Sequence, residues 1–207
     1  GVLIPDEVAN RIIEKAAFHG ATVLSDEHYR FLPIHREPPL RTLASPDKNV
    51  VATGSITKCF GLIGLRVGWI VAPEALIAKI RDFRDYLTHT LSPLSDYCAA
   101  LALEHAPVFI EPARSVLREN LAILTSVVEA NDGISLVEPE GGVVAFPKYS
   151  YPLSSNDFAG RLMKEHSVFV LPGSSFETEG HFRINIGQIP QMFREAIDHL
   201  ITFCSTL

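Results

Sequence analysis

Helix-length segments with 3.6-residue periodicity alternate with short apolar runs through the first half of the chain. That alternation restricts the fold to a layered α/β architecture with a mostly parallel sheet. Residues 5–19 place Val8, Ile12, Ile13 and Ala16 on one face, open on a proline followed by acids, and stop before Gly20, which is the punctuation of a helix. Residues 21–25, 49–53 and 67–72 read as strands, and residues 73–87 as the next helix. Beyond Ser92 the texture changes. Residues 93–105 and 107–130 read as successive helices, the second with Val116, Leu117, Leu121, Leu124 and Val128 at helical spacing. Residues 134–137, 142–146, 168–171 and 182–186 read as strands, with helices near 157–166 and over 189–203. The second half therefore predicts a smaller α+β unit. The domain change is expected near Ala106, dividing the chain into residues 1–105 and 106–207.

Composition narrows the functional classes. Hydrophobic residues at 47% and charged residues at 20% are enough for a packed core. No apolar run reaches membrane-spanning length, so no membrane partner is expected. The net charge of -6, without a Lys/Arg cluster, speaks against a nucleic-acid partner. Cys59, Cys98 and Cys204 are an odd, scattered set, which fits a reducing compartment; with no secretory apolar segment in the opening residues, a cytoplasmic location is expected. No cysteine pair and no histidine pair has metal-ligand spacing, so no metal site is expected.

The chemistry concentrates in Gly54-Ser55-Ile56-Thr57-Lys58-Cys59-Phe60-Gly61-Leu62-Ile63-Gly64-Leu65-Arg66-Val67-Gly68-Trp69. The stretch offers an amine, a guanidinium, two hydroxyls and glycines that admit tight turns and close backbone approach. A lysine forms a Schiff base with a carbonyl compound, and an arginine is the preferred partner of a phosphate. Pyridoxal phosphate (PLP) carries both groups. Ser55, Lys58, Gly61, Gly64, Arg66 and Gly68 together resemble the cofactor-lysine signature of the class I/II aminotransferases, which are fold-type I PLP enzymes.

The resemblance implies roles for other residues. Asp26-Glu27-His28-Tyr29 follows a strand at its carboxyl end, where open α/β sheets bind ligands. Taken alone, Asp26 reads better as a helix N-cap and Tyr29 as a half-buried tyrosine. In the family's Asp-x-x-Tyr pattern Asp26 pairs with the protonated pyridine nitrogen, and Tyr29 hydrogen-bonds the ring's phenolic oxygen. A carboxylate there keeps the ring protonated and a better electron sink. His28 departs from the family, which has a small or branched apolar residue against the ring face; the imidazole either stacks on the cofactor or turns away. Ser55 and Arg66 are implied phosphate contacts, with Lys58 the covalent attachment point. Arg183, in Phe182-Arg183-Ile184-Asn185, resembles the arginine that grips the substrate α-carboxylate through a planar fork. Residues 170–176 and 141–146 resemble segments beside the site in the small domain. Glu27 and Arg30 read as members of solvated or structural pairs.

These features imply the carboxyl part of a large PLP-binding domain followed by a small α+β domain. They also imply amino-group transfer between an amino acid and a 2-oxo acid, with Lys58 as general acid and base. On the same scaffold stand decarboxylation, β-elimination of the C–S lyase kind, ring-forming replacement, or a non-catalytic PLP-fold binding module. Residues 1–5 resemble the end of the family's Asn-Pro-x-Asn-Pro-Thr-Gly motif and the residues directly after it, with Gly1 as the motif's last glycine. On that reading the chain is a fragment lacking the upstream asparagine, the stacking aromatic and the phosphate-cradling amides. It is then expected to be inactive alone and to form a homodimer at full length.

Overall fold

The computed structural model describes residues 1–45 and 49–207. The chain divides into two compact units, Val2–Ala113 and Arg114–Leu207, the latter joined by Gly1. Both are built from helices over small sheets, an α/β chain of the expected class. The division falls inside the helix Ala106–Glu129, next to Pro112, which lacks the N–H that would bond one turn back. The change near Ala106 expected from the sequence lies at the start of this helix.

In the first unit, α1 (Asp6–Phe18) begins after Pro5, with Asp6 and Glu7 at the positive end of its dipole. It ends in a Schellman motif: Gly20 takes φ +65°, its N–H donates to the Ala17 carbonyl, and the Ala21 N–H donates to the Ala16 carbonyl. Its buried residues are Ala9 and Ile13. Val8 and Ile12, read as part of the core face, remain exposed, because the helix docks on the narrower i, i+4 seam of Ala9 and Ile13.

Strands β1 (Val23–Asp26), β2 (Val50–Ser55) and β3 (Gly68–Val71) form one sheet in that order. β1 and β2 are parallel, with Val23 opposite Val50 and Asp26 opposite Thr53. β3 returns antiparallel, with Ser55 opposite Gly68 and Gly54 opposite Trp69. The alternation of helix and strand predicts a mostly parallel sheet. The segment between β2 and β3, however, holds only a short 3₁₀ turn, Ile63–Leu65, and without a crossover helix the strand runs back. Leu24, Ile70 and Val71 on this sheet stay exposed. Helices α2 (Glu74–Arg84) and α3 (Pro93–Glu104) follow, and α4 is the long Ala106–Glu129 helix. The core of this unit gathers Ile13, Leu32, Val50, Ile56 and Phe60, with Phe60 edge-on to Phe31.

The second unit pairs β4 (Ile134–Ser135) with β6 (Lys148–Tyr149), and orders β5 (Val144–Ala145), β8 (Phe182–Asn185) and β7 (Leu171–Pro172) into a second sheet. Helices α5 (Ser155–His166) and α6 (Pro190–Cys204) pack together against an aromatic stack. Tyr149 lies over Phe158 at 4.3 Å, and Phe158 lies over Phe182 at 5.3 Å. α5 starts at Ser155 because the Ser154 hydroxyl accepts the Asp157 N–H. The buried Asn120 on α4 donates from Nδ2 to the carbonyls of Ile186 and Gln188 at 2.9 and 2.7 Å, fixing the end of β8 to that helix.

Candidate functional site

The parallel pairing of β1 and β2 brings their carboxyl ends side by side. The Glu27 N–H continues the ladder by donating to the Thr53 carbonyl at 2.8 Å. The residues leaving β1, from Asp26 to Tyr29, therefore stand next to those leaving β2, from Ser55 to Lys58. A cleft of about 1310 Å³ opens there, and His28, Ser55, Thr57, Lys58 and Arg66 line it. α2 adds Arg81 and Arg84 to the wall. In a chain of net charge -6 this cleft is cationic, with Asp96 the one carboxylate among its lining residues.

Each side chain has a local reason for its place. Lys58 and Arg66 belong to the connection between β2 and β3, whose ends are tied by the Ser55–Gly68 pair and by the Ile56 N–H donating to the Val67 carbonyl at 3.3 Å. Gly61 turns this connection at φ +68°, and Arg66 itself is left-handed at φ +55°. A non-glycine residue held there stores of the order of 1 kcal/mol of backbone strain. Gly54 and Gly68 thin the wall: a Cβ on Gly54 would stand 2.5 Å from the Trp69 ring, and one on Gly68 would stand 2.9 Å from the Gly54 carbonyl. The Ser55 hydroxyl accepts the Thr57 N–H at 3.3 Å, which leaves its proton for a ligand.

Asp26 and Tyr29 do not line the cleft. Asp26 is tied to it through His28, whose ring Nδ1 and backbone N–H both donate to Asp26 Oδ1. Partial burial raises the Asp26 carboxyl, but the hydrogen bonds and charge of His28 outweigh it and hold the group below its ordinary value. Tyr29 sits in the turn after β1, partly exposed. The sequence leaves two readings for Glu27, solvated or structural, and its contacts are structural. Its Oε1 accepts from Leu43 N at 2.8 Å and from the Thr42 hydroxyl at 3.1 Å, and Arg30 approaches its other oxygen at 3.9 Å.

Sequence reasoning gave no part to Cys59. Its thiol donates to the His28 carbonyl at 2.8 Å, pinning the β1 turn from behind, and burial pushes that thiol up to about 11. The alternation of exposed Lys58 with buried Ile56 and Cys59 was the available signal. Trp69, Arg81 and Arg84 are further lining residues to which the sequence assigns no role.

Arg183 belongs to the second unit. It lies on β8 between buried Phe182 and Ile184, opposite Leu171, and its guanidinium stacks over the Phe176 ring at 4.8 Å. No carboxylate of the described residues pairs with it, so the edge of its fork is available to a ligand.

A family profile described as "Aminotransferase class I and II" matches residues 1–200. Capreomycidine synthase of Streptomyces vinaceus is 35% identical over 185 residues, covering 89% of this chain and 47% of that protein. The aspartate aminotransferase of Pyrococcus horikoshii is 25% identical, over 97% of this chain and 52% of its own length. Among solved structures, the PLP-dependent cyclase OrfR superposes with a TM-score of 0.89 at 31% identity, over 100% of this chain and 56% of that one. The chain spans about half the length of the curated relatives it matches.

The cofactor of this family is pyridoxal phosphate, and the donor set fits it. An amine, two hydroxyls and a guanidinium converge on one cleft, at a wall kept thin by glycines whose Cβ atoms would collide with it. By sequence match and by fold, the chain belongs to the class I and II aminotransferases.

Proposed function

We propose that this chain carries the cofactor-holding half of an enzyme that moves an amino group between an amino acid and a 2-oxo acid. The observation that supports this reading best is the convergence of Lys58, Ser55 and Arg66 on a single cleft. When bound, pyridoxal phosphate supplies a carbonyl that amines condense with and a ring that accepts electrons from the substrate's Cα. Ser55 and Arg66 would bind its phosphate, the arginine through a charge-assisted pair. Asp26 would face the ring nitrogen and Tyr29 the phenolic oxygen. Lys58 would hold the cofactor and, once released, carry a proton to and from the substrate's Cα, as a general acid and base within hydrogen-bond reach. Arg183 would orient the substrate carboxylate, its ring-stacked guanidinium already preorganised. A cytoplasmic homodimer belongs to the same proposal; the scattered free cysteines support the compartment.

Ring-forming replacement is the second reading, favoured by the 35% and 31% identities to capreomycidine synthase and the cyclase OrfR. The two differ in product. Amino-group transfer releases one equivalent of 2-oxo acid per enzyme from an amino acid alone, whereas ring closure retains the α-nitrogen in the product and releases no 2-oxo acid by that route.

Borohydride trapping followed by peptide mapping tests the common core of both readings. The cofactor is expected on Lys58, and Lys58→Ala is expected to lose both the label and turnover. A label on Lys79 would overturn the assignment.

A further inference from the structure

His28 lines the cleft and also touches Asp26, a second candidate cofactor contact. Three interactions fix the turn that carries it. The Glu27 N–H donates to the Thr53 carbonyl at 2.8 Å, the Cys59 thiol donates to the His28 carbonyl at 2.8 Å, and the His28 N–H donates to Asp26 Oδ1 at 3.1 Å. The imidazole Nδ1 then closes on the same Oδ1. A carboxylate only accepts hydrogen bonds, so Nδ1 carries the proton in this contact. Both donors fall on one oxygen, and among the described residues no partner reaches Oδ2.

We infer that His28 is a positioning residue: it locks the Asp26 carboxylate by one oxygen and so presents the other to the pyridine nitrogen of the cofactor. This deepens the reading above and rests on Asp26 facing that nitrogen. The physical precedent is general, since groups that orient a charged ligand from behind fix its rotation and tune its basicity. An imidazole suits the task. It is rigid, it is long enough to reach back from two residues further on, and it stands in a turn already pinned on its other side by Cys59. An apolar side chain at this place would leave the carboxylate held by the backbone N–H of residue 28 alone. The orienting contact also separates the two postures that the sequence leaves open: the ring is turned onto Asp26 rather than being free to follow the cofactor face.

The test reads binding, not turnover. The affinities of PLP and of its analogue with the ring nitrogen replaced by C–H are measured by equilibrium absorbance or fluorescence titration of the intact protein and of His28→Phe, His28→Asn and Asp26→Ala. Phenylalanine keeps an aromatic face but donates no hydrogen bond, whereas asparagine keeps a donor. The intact protein is expected to prefer PLP over the analogue. His28→Phe is expected to shrink that preference about tenfold, the scale of one charge-assisted hydrogen bond, while analogue affinity holds and certifies the fold. His28→Asn is expected to keep most of the preference. If His28→Phe weakens both ligands equally, or leaves both unchanged, the positioning role is wrong while Asp26 keeps its own. If the preference for PLP survives in Asp26→Ala, the assignment of Asp26 to the ring nitrogen fails, and the role of His28 falls with it.

Discussion

Raising the pH should unfasten the turn that carries His28, through Cys59. The thiol is 2% exposed, and burial raises it from 9.0 to about 11. In the unfolded chain the group loses its proton near pH 9, while in the folded chain it keeps it to about pH 11. The folded state therefore binds one more proton between those values. The folded pKa is raised, so the stability it contributes is fully present below pH 9 and is lost as the pH climbs through 11. Linkage gives a slope of about 1.4 kcal/mol per pH unit and a total of about 2–3 kcal/mol. Ionisation would also remove the proton donated to the His28 carbonyl. The assay is urea unfolding at pH 7 to 11, followed by fluorescence of Trp69, the single tryptophan and a member of the same unit. Cys59→Ala should be less stable at pH 7, by about 1–2 kcal/mol for the lost contact and volume. It should also lack this part of the alkaline slope. Cys204, raised chiefly by its own burial, lies in the other unit and is common to both proteins, so the difference isolates Cys59. Parallel stability curves for the two proteins would refute the reasoning.

Further outcomes are expected at three positions. Gly54→Ala drives a methyl into the Trp69 ring, so a loss of about 1–3 kcal/mol and a shifted Trp69 emission are expected in a denaturant titration; an unchanged spectrum would mean the wall tolerates the methyl. Asn120→Ala strands the carbonyls of Ile186 and Gln188, at a cost of about 2–4 kcal/mol by circular dichroism in urea, and a cost under about 1 kcal/mol would show that those carbonyls find other partners. Arg183→Lys keeps the charge and loses the fork, and steady-state kinetics should show kcat/KM for α-amino acids lowered by about 2–4 kcal/mol; an unchanged value would place carboxylate binding elsewhere.

The lysine stretch was legible because its chemistry is local. Lys58, Arg66 and the glycines share one short connection, and no long-range packing is needed to bring them together. The place of Asp26 at the end of a strand was legible, though Asp26 stands outside the cleft lining. The direction of β3 was not, because strand pattern carries no sign of which way the chain returns; the missing crossover helix decides it. β6 escaped notice because its two residues sit between Pro147 and Pro152, which read as turn punctuation. The posture of His28 was undecidable from composition, since it is fixed by Asp26 on one side and by Cys59, 31 positions away, on the other. The buried seam of α1 was misjudged for a similar reason: several apolar faces were available, and packing chose the one through Ala9 and Ile13.

The tie between Ser55 and Gly68 makes the connection carrying Lys58 and Arg66 a closed loop. Its closure entropy is offset by strand pairing at its base, and that cost grows only slowly with length. Thermodynamics would therefore tolerate an inserted residue there, but the separation between amine and guanidinium would not survive it. An insertion in the segment between β1 and β2 would leave that separation unchanged. Length variation among descendants of this chain should accordingly be permitted before β2 and forbidden between β2 and β3, a ruler kept by geometry rather than by stability.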